Sequence, residues 1–413
     1  MKEYMPRIID KTLQEKMKNY GVVIIEGCRW CGKSFTAKQL AASYIDLKGP
    51  DINLRYEKPT LLLKGDKPRL LDSLEVNFDI WENIKRNINR TDSKGQYILT
   101  RSIKESNDEI ASNGRVVKLL MRPMSLYESK ESNGTVSLQD IIDGKEIKGV
   151  STLSFDGLIR AMMRGGWPKT LDCSFDNAYG LAKEYVNSIL KEGIKYVDNT
   201  EDCQFLMQVV LENIAKNSFK MVSEPELLEE VNNKYFKNIT RKTLDSYLKV
   251  LERLYILEYV PATSISMRTK TPLYILPKLV LVDPSIGVAL LDLKKDDLVR
   301  DAKFTKAMFE NLCIRDLKIY AESLGAKLTY YLDTKGKDTT FILTMPDGKW
   351  GLVTIELDPL KLSRTIERLL LFKENVDSYK YGKPAFLMVL TGDNESCKRD
   401  DGVYVVAIST LKN

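Results

Sequence analysis

The stretch Gly27-Cys28-Arg29-Trp30-Cys31-Gly32-Lys33-Ser34 fits the spacing G-x-x-x-x-G-K-S/T, and its chemistry is that of a phosphate cradle. Glycines let the backbone wrap close to an anion, so that its N–H groups and the amino end of the next helix face the negative charge. In such a loop Lys33 reaches the β and γ phosphates and the Ser34 hydroxyl ligates Mg²⁺. All eight residues are therefore candidates for holding ATP.

Mg²⁺ there needs a carboxylate from the end of a neighbouring strand, and Arg69-Leu70-Leu71-Asp72 offers Asp72. An Asp after a strand also suits a helix N-cap. In an ATPase a glutamate directly after this Asp orients the attacking water, but here the position holds Ser73, which is no base at neutral pH. Positioned acid–base groups contribute roughly 10²- to 10⁴-fold. Slow hydrolysis is expected unless Glu75, Asp79 or a partner substitutes.

Cys28 and Cys31 form a C-x-x-C inside the loop. Oxidation of the pair would obstruct phosphate binding. With no second Cys pair at zinc-like spacing and no histidine, two reduced thiols are expected rather than a metal site. The absence of histidine from the whole chain excludes Ser-His-Asp and Cys-His catalysis and His-ligated zinc or iron. Proton transfer falls to carboxylates, Lys, Tyr, Cys or metal-bound water.

These residues need elements to position them. Gly21 to Glu26 is a short apolar β-branched run of the kind buried in a parallel sheet, and a helix should run from Lys33 to about Leu40. Further runs at Tyr44 to Leu47, Arg69 to Asp72, Gln96 to Thr100 and Val116 to Leu119 alternate with helical stretches, which predicts an α/β domain over residues 1–150. Helices follow from Phe155 to Arg164 and Asn177 to Val197. After Thr240 a helix places Leu244, Tyr247, Leu248, Leu251 and Leu254 on one face, with Arg241, Lys242, Lys249 and Arg253 outside it. The last region gives strands near 327–332, 340–345, 351–357, 385–390 and 403–408, with Pro346-Asp347-Gly348-Lys349 turning a hairpin.

Together with the phosphate loop, further stretches resemble a family of prokaryotic AAA+ ATP-binding proteins. They are Pro6-Arg7-Ile8-Ile9-Asp10, Ile98-Leu99-Thr100, Met121-Arg122-Pro123-Met124-Ser125-Leu126, Gly165-Gly166-Trp167-Pro168, Val282-Asp283-Pro284-Ser285, Phe309-Glu310-Asn311-Leu312, Pro346 to Gly351 and Asp401-Gly402-Val403-Tyr404. The resemblance runs nearly end to end. It implies an AAA+ domain at 1–150, a helical lid at 151–204, a winged-helix domain at 205–295 and a PD-(D/E)XK nuclease-like domain at 296–413. It also implies that Thr100 contacts the γ phosphate or its attacking water. Arg115 resembles an arginine finger directed at a neighbouring subunit, its alternative being a surface Arg at a strand end.

Several positions depart from the family pattern. Arg101 stands where a glycine is usual, and Ala111-Ser112-Asn113 replaces a common His-Ser-Gly. Thr340 and Thr354 replace the two central carboxylates of the nuclease-like centre, and Glu356 stands where a lysine is expected. Glu310 and Asp338 remain, which leaves a poor metal site and implies a fold without cleavage chemistry. A Mg²⁺ rescued by Glu356 in a shifted register is the alternative.

The winged-helix reading offers Arg241, Lys242, Lys249 and Arg253 to DNA phosphates, with Arg268 and Lys270 on a wing, although Asp245 and Glu252 share the exposed face. A protein partner would suit the same module. The balance of 63 Lys+Arg against 57 Asp+Glu, net +6, fits a nucleic-acid partner and equally a solvated Lys-rich surface. The first residues lack the apolar core of a secretory signal, and no apolar run approaches the ~18 residues of a membrane span. A cytoplasmic protein with reduced Cys, no membrane partner and self-association through its AAA+ domain is expected.

Overall fold

A computed structural model describes residues 4–49, 59–76, 80–104, 114–197, 202–217, 223–235, 237–263, 277–332, 339–376 and 378–413. Asp79, Ala111, Ser112, Asn113, Arg268, Lys270 and Asp338 lie outside them. The chain divides into two compact units, one of residues 1–123 with 251–256 and the other of residues 124–250 with 257–413.

The first unit is built on five strands: β1 Val22–Glu26, β2 Ser43–Asp46, β3 Arg69–Asp72, β4 Tyr97–Arg101 and β5 Val116–Leu120. All pairs are parallel, in the order β2-β3-β4-β1-β5. Interior strand β1 is buried along Val22 to Ile25, which is why it reads Val-Val-Ile-Ile without alternation. Helix Ile80–Thr91 turns Ile80, Trp81, Ile84 and Ile88 to the sheet, at the three- and four-residue spacing of one helix face. These side chains join Ile24, Leu71 and Leu99 in a single apolar core, and each such burial stabilises by about 1.5–3 kcal/mol. Asp72 ends the strand two places from β1, because β4 lies between β1 and β3.

The second unit carries a mixed sheet of seven strands. Its members are β7 Lys148–Val150, β10 Lys327–Leu332, β11 Thr339–Thr344, β12 Trp350–Glu356, β13 Phe386–Thr391, β14 Glu395–Lys398 and β15 Val403–Ala407. They run in the order β10-β11-β12-β13-β15-β14-β7. The β11–β12 hairpin turns at Gly348, whose φ of 86° suits a residue without Cβ. Helix Leu362–Asn375 returns the chain from β12 to parallel β13, burying Ile366, Leu369 and Phe372 against Leu352 and Val389. Outside this sheet, β6 Val136–Ser137 pairs with β16 Leu411–Lys412, while β8 Leu257–Val260 and β9 Lys278–Leu281 form an antiparallel pair.

The pairings of β7 with β14 and of β6 with β16 place residues 124–150 in the second unit, not in the domain expected to extend to residue 150. Arg315 is buried in the same unit and donates to Asp283 and Asp316, each at 2.8 Å. Asp283 also accepts the Gly166 amide at 2.9 Å and Asp316 the Leu126 amide at 2.9 Å, while Trp167 Nε1 donates to Ser285 Oγ at 2.9 Å. Three segments distant in sequence, around residues 124, 166 and 283, thus meet in one buried polar hub. Among the described residues no helix is long and apolar enough to cross a membrane.

Candidate nucleotide site

The phosphate loop leaves the carboxyl end of β1 and enters helix Lys33–Leu40. Its first glycine is required by space: a Cβ on Gly27 would lie 2.1 Å from the Met121 carbonyl oxygen. Gly32, with φ 107°, turns the chain into the helix. The Lys33 ammonium is buried inside the loop and donates to the carbonyls of Gly27 at 2.9 Å and Cys28 at 2.7 Å. Those are weakly held partners for a cation that a phosphate would attract more strongly.

Ser34 Oγ donates to Asp72 Oδ1 at 2.7 Å, and the Thr100 hydroxyl donates to the same oxygen. Asp72 is 8% exposed, so this carboxylate is aimed into the site and not into solvent. The Ser73 amide donates to Thr100 Oγ1 at 2.9 Å, closing a chain from the loop through β3 to β4. Ser73 itself has φ 70°, a left-handed conformation unusual for a residue with a Cβ. The inserted β4 therefore does not separate the expected partners; it supplies one of them.

Glu75 is the nearest glutamate after Ser73 in sequence. Its carboxylate accepts Lys48 Nζ at 2.9 Å and the Ser102 amide at 3.1 Å, at the carboxyl ends of β2 and β4. Arg101, unexpected after Thr100, is wholly buried and donates through Nε to Glu26 Oε2 at 2.9 Å. It thereby neutralises a carboxylate next to the first loop glycine. Arg115 does not join the cluster: it precedes β5, where its carbonyl accepts the Gly21 amide at the amino end of β1. Its guanidinium pairs with Asp92 at 2.8 Å and Asn89 at 2.9 Å.

Arg7, from the stretch Pro6 to Asp10, is a further residue at the loop. It is buried, donating through Nη1 to the Cys31 carbonyl at 2.7 Å and through Nη2 to the Arg122 carbonyl at 2.9 Å. The segment before the first helix thus braces the phosphate loop against the segment after β5. Around Cys31, burial pushes the thiol up, but the Cys28 thiol, Lys33, Arg7 and the Lys33 amide outweigh it and hold it at about 6.

Residues 156–297 match the model of a domain of unknown function, DUF8612. No curated protein matches the chain. Among solved structures, the Walker-type ATPase paby2304 of Pyrococcus abyssi is 14% identical, with a TM-score of 0.42 over 68% of this chain and 94% of that one. A STAND protein with a tetratricopeptide repeat sensor, PH0952 from Pyrococcus horikoshii, is 12% identical, with a TM-score of 0.25. That match covers 78% of this chain, which spans about half, 53%, of the PH0952 chain.

In the second unit, the positions singled out for metal chemistry are engaged otherwise. Glu310 pairs with the buried Lys278 at 3.0 Å. Glu356 accepts Lys306 at 3.0 Å and the Thr365 hydroxyl at 3.2 Å, while Thr340 is buried without charge. Among the described residues no group of three or more metal-ligating Cys, Asp or Glu side chains gathers. Of the basic residues on helix Arg241–Arg253, Arg241, Lys242 and Lys249 are exposed and Arg253 is half-buried. Arg241 is paired with Glu224, its Nε at 2.5 Å, and Arg253 Nε donates to the Lys104 carbonyl at 2.9 Å. Both arginines therefore have partners within the chain, and the Arg241 pair lies at the surface.

Proposed function

We propose that this chain is a Mg²⁺-dependent ATP-binding protein with weak ATPase activity, its nucleotide state governing what the second unit binds. The observation that carries the reading is the Ser34–Asp72–Thr100 cluster at the mouth of the phosphate loop. A hydroxyl and a carboxylate are hard oxygen donors of the kind Mg²⁺ takes, so the residues fit the ion. Ser34 and Asp72 would hold it, and it would supply neutralisation of phosphate charge.

Binding requires Lys33 to exchange the Gly27 and Cys28 carbonyls for phosphate oxygens, while the loop amides face the same anion. Thr100, through the hydroxyl now shared with Asp72, would orient a water at the γ phosphate. Ser73 supplies no base, and Glu75 is occupied by Lys48 and the Ser102 amide, which supports slow turnover. The reading of Arg115 as a finger would require a neighbouring copy and release from Asp92.

For the second unit we propose a helical lid, a winged helix ending in the β8–β9 pair, and a nuclease-like domain without cleavage chemistry. Lysines on Glu310 and Glu356 support the last point. Exposed Lys242 and Lys249 support a phosphate-bearing partner such as DNA, whereas the engaged Arg241 and Arg253 favour a protein partner. The alternative for the whole chain is a non-hydrolysing ATP-binding scaffold, favoured by Ser73. Steady-state ATP turnover with and without DNA, in wild type and Asp72→Asn, tests the reading. Turnover lost in the variant supports an ATPase; ATP bound without turnover selects the scaffold; no ATP binding by wild type sinks both.

A further inference from the structure

The phosphate loop contains a dithiol that nucleotide binding does not use. Cys28 and Cys31 are the ends of a turn whose central residues are Arg29 and Trp30, and Trp30 has φ 65°. Such a turn brings its ends to under about 7 Å between Cα atoms, a separation compatible with the roughly 4.4–6.8 Å that disulfides bridge. Both side chains are buried, and the Cys28 thiol hydrogen-bonds to Cys31 Sγ. Lys33 Nζ stands 3.8 Å from that sulfur, the Lys33 amide donates to it, and Arg7 is anchored on the Cys31 carbonyl at 2.7 Å.

Two cations and an amide around one sulfur favour thiolate, the reactive form of cysteine. Cys313 in the second unit shows the opposite case. It is equally buried, but burial and the nearby Asp316 and Glu310 push its thiol well up, as for an inert core cysteine. The loop therefore presents one activated sulfur with a resolving thiol three residues away.

We propose that Cys28 and Cys31 form a reversible disulfide that closes the phosphate loop to nucleotide, with a small hydroperoxide as oxidant. The Cys31 thiolate attacks the peroxide; the O–O bond breaks, a sulfenic acid forms, and the leaving oxygen takes up a proton as water or alcohol. The Cys28 thiol then attacks the Cys31 sulfur; the S–S bond forms, the S–O bond breaks, and the Cys28 proton leaves with the hydroxyl as water. Two thiols are oxidised and one peroxide is reduced. An external dithiol reverses the bond by exchange.

The closed ring would fix residues 28–31 in the turn, so that their amides could not rearrange around a phosphate, and would leave Lys33 on its carbonyls. Only this closure rests on the ATP-binding reading; the disulfide does not. Linkage makes the effect reciprocal, so bound nucleotide should disfavour the disulfide by the same factor.

The test uses the full-length reduced chain, treated with hydrogen peroxide with and without Mg-ATP. Remaining thiols are then blocked and the fragments bearing residues 28 and 31 weighed. Wild type should lose two hydrogens there, and Cys28→Ser should stop at a sulfenic acid on Cys31 that dimedone traps. A fluorescent ATP analogue should bind the oxidised protein about 5- to 150-fold more weakly, with recovery after dithiothreitol. Free, blockable thiols at both positions after peroxide overturn the proposal, and this measurement on wild type decides even where Cys28→Ser fails to fold. Equal affinity of oxidised and reduced protein overturns the closure. If the disulfide forms but the reduced protein binds no nucleotide, the ATP-binding reading fails and the dithiol stands.

Discussion

Ser34 and Asp72 meet at 2.7 Å although they belong to strand–loop units that are not neighbours in the sheet. The hydroxyl comes from the helix after β1 and the carboxylate from the end of β3, with β4 between. Thr100, at the end of that intervening strand, donates to the same oxygen. The site thus spans the ends of three strands that are consecutive in the sheet.

Lys33→Ala should weaken Mg-ATP binding by about 10- to 100-fold, the equivalent of a lost hydrogen bond to a charged group. Titration with a fluorescent ATP analogue measures it. Unchanged affinity would show that the loop is not the nucleotide site.

Ser73→Glu should raise ATP turnover, by up to roughly 10²-fold if the carboxylate reaches the attacking water. The gain has a limit set by the backbone: at φ 70° any side chain beyond Gly is strained. Ser73→Gly should consequently stabilise the first unit by about 1 kcal/mol while leaving turnover low. Chemical denaturation of both variants separates the two effects.

In the second unit, Arg315→Met leaves Asp283 and Asp316 buried without their cation. Breaking such a pair on one side costs about 3–5 kcal/mol, and the unfolding transition of this unit should fall accordingly. A transition unmoved by the substitution would mean that the hub is not what holds residues 124, 166 and 283 together.

Cys31 gives the first unit a pH dependence. Its thiol sits at about 6 in the folded chain against an ordinary 9.0, so between those values the unfolded state binds the extra proton. Stability from this group is therefore full above pH ~9 and fades as pH falls toward ~6. The stability difference between wild type and Cys31→Ser, measured across that range, should grow with pH. A flat difference would place the thiolate elsewhere.

Much of this was legible in the sequence because it is local. The five strands of the first unit, the helix at Lys33 and the hairpin at Gly348 follow from apolar runs, glycines and a Pro-Asp-Gly turn, each decided within a few residues. The junction at residue 123 was not legible. β6 and β7 are short, and they pair with strands some 250 residues later, a choice made by tertiary packing with no trace in periodicity. Arg7 was visible as a motif residue, but its work on the Cys31 and Arg122 carbonyls depends on backbone atoms, which a sequence pattern does not show. The pairing of Arg101 with Glu26 was likewise hidden, since it joins adjacent strands in register across 75 positions of chain.

The six residues Leu251–Ile256 belong to the first unit although the chain on either side of them belongs to the second. During synthesis, the first unit therefore cannot complete its packing when residue 123 leaves the ribosome. It must wait until residue 256 has been made, with part of its surface uncovered meanwhile. An amino-terminal fragment ending at residue 123 should be correspondingly prone to aggregate, and any dissection of this protein has to carry its middle along with its beginning.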